Sequence, residues 1–119
     1  MALNVKSIHD PVLESDGKRI LVDRAWPADI APDEATMHAW YEDVAPSEEL
    51  YKQFEADPHR FDDFKSKYVA ELDNNTLVQA EIDQILDLAK EGDLTLLHGA
   101  SDTSLNATKV LRDYLSAKM

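Results

Sequence analysis

Polar side chains that could do acid–base or anion chemistry follow two apolar runs of this chain, Ile20–Val22 and Leu94–Leu97. Continuous aliphatic runs are typical of buried parallel strands, and ligands bind where such strands end. The polar residues after the first run are Asp23, Arg24 and Trp26, and those after the second are His98, Ser101 and Asp102. If the two strands are parallel neighbours, a carboxylate, a guanidinium and an imidazole meet at one edge, which predicts an acid–base or anion site.

Each of these groups also has a purely structural interpretation. Asp23 and Arg24 can form an ion pair that fixes the loop, with Trp26 in the core. His98 can act as a general base near neutral pH, or it can hydrogen-bond the backbone at the end of a strand. Ser101 and Asp102, together with His98, are the residue types of a hydrolytic triad. We reject that function because the three are crowded within five residues and the chain has no GxSxG turn.

The loop over residues 99–106 leads into a predicted helix, whose first amides can hold an anion. The loop has one glycine and no lysine, so it is not a phosphate-loop fingerprint. Asp102 can equally serve as a helix cap. The four histidines of the chain are scattered without metal-ligand spacing, and we therefore predict neither a metal nor a cofactor.

Three apolar segments predict strands, and apolar residues at helical spacing predict five helices. The strands are Val5–Ile8, Arg19–Asp23 and Leu94–Leu97. The helices start at Pro32 (ending near Asp43), at Ser47 as N-cap, at Asp57-Pro58, after Asn74-Asn75 (ending at Gly92) and at Ser104 (ending near Ala117). This order predicts an α/β fold in which a small, mostly parallel sheet of about three strands packs with five helices, as a single domain over residues 1–119.

Two further expectations concern the packing of these elements. Ten residues link the first two strands, fewer than a parallel crossover normally needs. If that pair is antiparallel, His9 lies far from Asp23, and we therefore leave His9 out of the site.

Glu71 lies beside the apolar stripe of the third helix and needs a partner, for which Arg24 and Arg60 are candidates.

The chain is strongly acidic, with a net charge of −12 from 24 acids and 12 bases. Eleven of the acids lie between Asp29 and Asp63, where Lys52 and Arg60 alone oppose them. This surface repels a nucleic-acid duplex, so we exclude that class of partner. It is either a solvated face or a docking face for a basic protein. Without cysteine, a signal peptide or a long apolar run, we expect a cytoplasmic protein that does not bind a membrane.

Four blocks of the sequence resemble, in order and spacing, the bacterial YeaO-like family, domain of unknown function family 488. The blocks are RILVDRAWP, VAPSEEL…F, DPHRF…F…KY…EL and TLLHGASD…N…VL, and they extend from about Val5 to Leu115. The resemblance implies a small α/β domain, and the family offers no established activity to carry over. The candidate site residues that match the family are Asp23, Arg24, Trp26, Asp102 and Asn106.

The resemblance also implies basic side chains at three positions where this chain has none. Ala28, Tyr51 and Ser101 stand where family members commonly have arginine, arginine and lysine. If the family binds an anion through those groups, this chain binds it weakly or binds a different ligand.

Two functions therefore stay open. In the first, a small polar or anionic molecule binds at the strand edge formed by Asp23, Arg24, Trp26, His98, Ser101, Asp102 and Asn106. In the second, the domain is not an enzyme and binds a protein partner through the acidic segment 29–63.

Overall fold

The computed structural model describes residues 3–23, 37–57, 59–99 and 102–119, and of residues 102–104 it describes the backbone. Within these residues a four-stranded sheet has the order β1-β4-β2-β3. The strands are β1 (Leu3–Ser7), β2 (Lys18–Leu21), β3 (Ala39–Trp40) and β4 (Leu94–His98). All neighbouring strands are parallel, which confirms the α/β class and the small parallel sheet.

The central strand is β4, and all five of its residues are buried. It lies between β1 and β2 and pairs with both, so that Leu94 is opposite Leu3 on one side and Lys18 on the other. The first two strands therefore point in the same direction, and the antiparallel alternative is wrong. Ten residues suffice for the connection because an extended chain covers about 3.3 Å per residue, so ten residues reach well beyond a five-residue strand.

A buried ion cluster forms where this connection enters β2. The Asp16 carboxylate accepts hydrogen bonds from Arg19 Nη1 at 2.7 Å and from Lys6 Nζ at 2.9 Å. Burial raises the pKa of Asp16, but hydrogen bonds from Lys6, from the Leu13 amide and from Arg19 outweigh this effect and lower it to about 2. Asp16 is therefore a carboxylate at every pH in the ordinary range, and it neutralises charge from two strands.

The same cluster fastens the connection to the sheet through backbone carbonyls. Arg19 donates to the carbonyls of Pro11 and Asp10, both at 3.3 Å. Thr95 on β4 donates its hydroxyl to the Asp16 carbonyl at 2.8 Å. Arg19 and Thr95 are opposite each other in the β2–β4 register, so both side chains lie on one face of the sheet. The connection therefore crosses that face.

In the described part of the chain, four α-helices build a core with the other face of the sheet. They are α1 (Glu48–Ala56), α2 (Phe61–Asn74), α3 (Thr76–Glu91) and α4 (Asp102–Ser116). Their buried side chains pack in one cluster with Ile20, Val22, Leu94 and Leu96. Ser47 caps α1 and Gly92 ends α3, which confirms both predicted helix signals. Of the described helices, none combines the length and the apolar composition that crossing a membrane requires.

Two predicted helix boundaries are wrong. The helix expected to end near Asp43 is absent from residue 37 onwards, because Ala39–Trp40 form β3. Backbone amides on either side of β3 donate to carbonyls of β2 at 2.5 and 2.8 Å. These hydrogen bonds to the open side of β2 stabilise the strand more than a short helix would be stabilised. Asp57 does not cap α2 either: it ends α1, and α2 begins at Phe61. Pro58 and residues 32–36 lie outside the described residues.

Replacing Asp16 tests the ion cluster. Asp16→Asn should lower the free energy of unfolding by about 3 kcal/mol, because it leaves the buried Arg19 without its counter-ion. The wild-type advantage should be full above the ordinary Asp pKa of 3.8 and should disappear as pH falls toward 2. Urea unfolding between pH 2 and 7 measures both effects. Asp113→Asn, which breaks an exposed pair with Arg112, is the control and should change little.

Gly17 is required at the turn into β2. Its φ is +63°, and a Cβ at this position would collide with the Asp93 carbonyl. Gly17→Ala should therefore destabilise the protein by about 2 kcal/mol or more in urea unfolding. Gly92→Ala is the matched control, since a Cβ at Gly92 meets nothing within 4 Å. Equal stability of the two variants would contradict this account of the turn.

Candidate functional site

The carboxyl ends of β1, β2 and β4 lie at one edge of the sheet because all three strands are parallel. In the registers, Ser7 is opposite His98, and Leu21 is opposite Leu97. The structure therefore brings Asp23 and His98, the described candidates that follow the two apolar runs, to the same edge. We call this edge, with Asp23, His98 and Gly99, the carboxyl edge.

Asp23 contacts three neighbouring elements, which are the loop after β4, α1 and β3. Its Oδ2 accepts the amide of Gly99, the first residue after β4, at 3.2 Å. Its Oδ1 lies 3.5 Å from the hydroxyl of Tyr51 on α1. Its carbonyl accepts the indole N–H of Trp40 on β3 at 2.7 Å. The half-buried carboxylate therefore positions the start of the loop that leads into α4.

His98 is nearly buried, with 7% of its surface exposed. Its Nδ1 lies 2.5 Å from the carbonyl of Gly99, and its own carbonyl accepts the amide of Ile8 at 2.9 Å. Because a carbonyl can only accept, the Nδ1 atom carries the proton in this contact. Of the two interpretations drawn from the sequence, the structure shows the hydrogen bond to the backbone at the strand end.

His9 belongs at this edge as well, and our reason for leaving it out was wrong. It follows directly on β1, whose last residue Ser7 is paired with His98. The exposed His9 ring lies 3.4 Å from the hydroxyl of Ser7 through Nδ1. It therefore adds a second imidazole to the surface of the carboxyl edge.

The other candidates are placed only in part. Arg24, Trp26 and Ser101 lie outside the described residues. Asp102 is the first residue of α4, and its backbone is described. Asn106 is half-buried in the second turn of that helix. Among the residues that are described, no three His, Asp or Glu side chains are grouped so as to hold a metal ion.

Within the described residues, Glu71 binds Ser47 and not Arg60, one of the two arginines that we expected as partners. Its carboxylate accepts the Ser47 amide at 2.9 Å and the Ser47 hydroxyl at 2.6 Å. Arg60 pairs instead with Asp57 at 3.2 Å. Glu71 therefore fixes the start of α1, the helix that carries Tyr51 to Asp23.

Sequence reasoning missed the carboxyl group of Glu81 on α3. Its Oε1 atom is buried and has no hydrogen-bond partner in the described part of the chain. Burial, and then the carboxylate of Asp43, raise the pKa of Glu81 to about 7. Asp43 lies in the segment 41–47, which joins β3 to α1 and thus connects the two elements that contact Asp23. Nothing in the sequence marked Glu81, because it stands beside the apolar stripe of α3 and looks like a surface residue.

The fold and the residues of the carboxyl edge define the class of protein: a small parallel α/β domain with polar side chains where its strands end. The chain belongs to the family DUF488-N3i, described as the inactive DUF488-N3 subclade, whose model matches residues 2–119. It is 37% identical over 115 residues to the uncharacterized protein YeaO of Escherichia coli, covering 97% of each chain. These matches confirm the resemblance to the YeaO-like family.

Two mycobacterial relatives match over a shorter stretch. The uncharacterized proteins Mb3100c of Mycobacterium bovis and Rv3073c of Mycobacterium tuberculosis are each 40% identical over 70 residues. The match covers 59% of this chain and 59% of each relative. No solved structure matches the chain significantly.

Removing the charge of Glu81 should stabilise the protein in a pH-dependent way. The folded state raises the pKa of this group from 4.5 to about 7, so ionisation opposes folding as pH rises through that window. Glu81→Gln should have little effect below pH 4.5. Above pH 7 it should add on the order of 2 kcal/mol, less than the full shift implies because the group is partly exposed. Melting curves from pH 4 to 8 measure this, with exposed Glu55→Gln as control, and a constant difference across that range would contradict it.

Proposed function

We propose that this chain is a non-catalytic binding domain that holds a small polar or anionic ligand at the carboxyl edge of its sheet. The observation that carries the proposal is the engagement of the Asp23 carboxylate by Gly99 and Tyr51. A general acid or base must exchange its proton with a substrate, whereas this carboxylate accepts hydrogen bonds from its own fold. The description of the family as an inactive subclade supports the same conclusion.

The position of α4 favours an anionic or polar ligand over an apolar one. β4 ends at His98 and α4 begins at Asp102, so the helix N-terminus follows the strand end after a short loop. Asp23 and His98 both bind Gly99, and thereby fix the first residue of that loop. The free amides of a helix N-terminus attract negative charge, and a fixed loop avoids the entropic cost of ordering it.

Tyr51 indicates how this chain differs from its relatives. It is one of the three positions where the YeaO-like family commonly has a basic side chain, and its hydroxyl lies beside Asp23. A hydroxyl can donate a hydrogen bond but brings no positive charge. The ligand of this chain should therefore be more weakly charged than that of relatives with arginine at this position. Arg24 then supplies the cationic contact, Trp26 an aromatic wall, and Ser101, Asp102 and Asn106 polar contacts.

A thermal-shift screen tests the proposal with nucleotides, sugar phosphates and carboxylates as probes. A ligand present at a hundred times its Kd should stabilise the wild type by about 2.7 kcal/mol. Arg24→Ala should abolish that shift by removing a contact, and Asp23→Asn should reduce it by releasing the loop at Gly99. Arg112→Ala and Asp62→Asn, substitutions of the same types elsewhere on the surface, should preserve it.

Two results would overturn the proposal. Turnover of any screened compound that is lost in Asp23→Asn would show that the carboxyl edge is catalytic. The second result is that no compound binds, while the Arg24→Ala substitution strongly lowers the melting temperature of the ligand-free protein. The carboxyl edge would then be structural.

In that second case, the acidic segment 29–63 becomes the functional surface. Its described part favours this alternative, because Glu42, Glu49, Glu55 and Asp62 are exposed. Ion pairs with Lys52, Arg60 and Lys67 neutralise only Glu48, Asp57 and Asp63. The remaining negative charge suits a basic protein partner, whose binding would weaken with salt.

A further inference from the structure

A second polar site lies at the opposite edge of the sheet, where β2 begins. A shallow cavity of about 230 Å³ opens there between the turn into β2 and the residues that precede β3. Its described lining consists of Val12, Gly17, Lys18, Arg19, Met37 and His38. The ionisable side chains in this lining are all basic, in a chain whose net charge is −12.

The charges around the cavity are balanced, but the side chains that line the cavity itself are basic. Lys18 pairs with Glu91 at 2.5 Å, and both of these side chains are substantially exposed. The pKa of Glu91 is lowered first by Lys18 and further by His38, which places the imidazole in the same electrostatic neighbourhood. Arg19 shares the single carboxylate of Asp16 with Lys6. With Asp93, which contacts Gly17, three permanent cations face three carboxylates, so the positive character of the cavity comes from its own lining of Lys18, Arg19 and His38.

Arg19 supplies an independent sign that an acceptor is missing. The residue is 5% exposed, and its Nη1 and Nη2 atoms donate to Asp16, Pro11 and Asp10. Its Nε atom is buried without a hydrogen-bond partner in the described part of the chain. A buried N–H that lacks an acceptor costs about 1–3 kcal/mol, and the cost is larger in a charged group. Because the Nε atom is itself buried, Arg19 contributes uncompensated positive charge beside the cavity rather than a contact to the ligand.

The other residues of the lining indicate the chemistry of the rest of the ligand. Met37 is half-buried and Val12 is 54% exposed, so both offer apolar surface to an occupant of the cavity. Gly17 contributes only backbone atoms to the lining, and Asp93 fills the space beside it. A volume of this size is suited to a small organic molecule rather than to a nucleotide.

From these observations we infer that the cavity at the start of β2 binds a small organic anion, in which a carboxylate or phosphate is attached to a compact apolar group. The oxyanion pairs with Lys18 and His38, while the apolar group covers Met37 and Val12. This site is independent of the proposed function, because it lies at the other end of the strands.

Nuclear magnetic resonance titration of the full chain tests the inference with benzoate as the probe. Benzoate should shift the amides of Gly17, Lys18 and His38, whereas benzyl alcohol, which has the ring without the charge, should not. Lys18→Gln should weaken benzoate binding roughly tenfold, the value of one charge-assisted hydrogen bond. Glu91→Gln should strengthen binding severalfold, because it releases Lys18 from its competing partner.

Lys18→Gln and Glu91→Gln should change the affinity for benzoate in opposite directions, which makes the test specific. Lys65→Gln, on the exposed surface of α2, is the charge-matched control and should leave the affinity unchanged. Absence of benzoate shifts in the wild type, or equal affinities in Lys18→Gln, Glu91→Gln and wild type, would overturn the inference. Shifts confined to Asp23 and Gly99 would also overturn it, and would at the same time support a ligand at the carboxyl edge.

Discussion

The structure depends on one shared carboxylate, that of Asp16. The chain leaves β1, passes over one face of the sheet and enters β2 within ten residues, and two cations meet in its path at Lys6 and Arg19. Asp16 neutralises both, and its own carbonyl binds Thr95 on the strand between them. The short connection is thus anchored to three strands. Together with Ile8, which is buried against Leu21 and Leu97, this anchor favours the crossover over a simple hairpin.

The parallel direction of β1 and β2 determines where chemistry can occur. Because both strands flank β4 in the same sense, the polar residues that follow each strand share one edge, and the basic residues that begin β2 lie at the other. The two edges differ in character. At the carboxyl edge, Asp23 and His98 bind their own backbone neighbours and shape a loop. At the opposite edge, Arg19 has more donors than the fold can satisfy. The fold therefore satisfies its polar groups at the carboxyl edge and leaves one donor unsatisfied at the opposite edge.

The sequence predicts the elements with strong periodicity and fails where tertiary contacts decide. The strands around Ile20 and Leu96 and the stripes of α2 and α3 are continuous or cleanly periodic, so burial alone specifies them. β3 is two residues long and exists because β2 offers an open edge, which no local pattern reveals. Asp23 and His98 could be found from their place after apolar runs. Their partners Gly99 and Tyr51 could not, since these contacts arise only when β4 and α1 pack against β2. Arg19 did carry a signal, as a charge that directly precedes the apolar run Ile20–Val22.

The central position of β4 has a consequence for how the chain acquires its structure. β1 and β2 are made first during synthesis, yet neither pairs with the other, and both wait for residues 94–98. Leu3 and Leu94, paired in the sheet, lie near opposite ends of the chain. Such distant contacts are slow to form because a long loop must close before they are gained. The β1–β4 and β2–β4 pairs can therefore form only after residues 94–98 have left the ribosome, and until then the sides of β1 and β2 that face β4 stay unpaired and open to association with other chains.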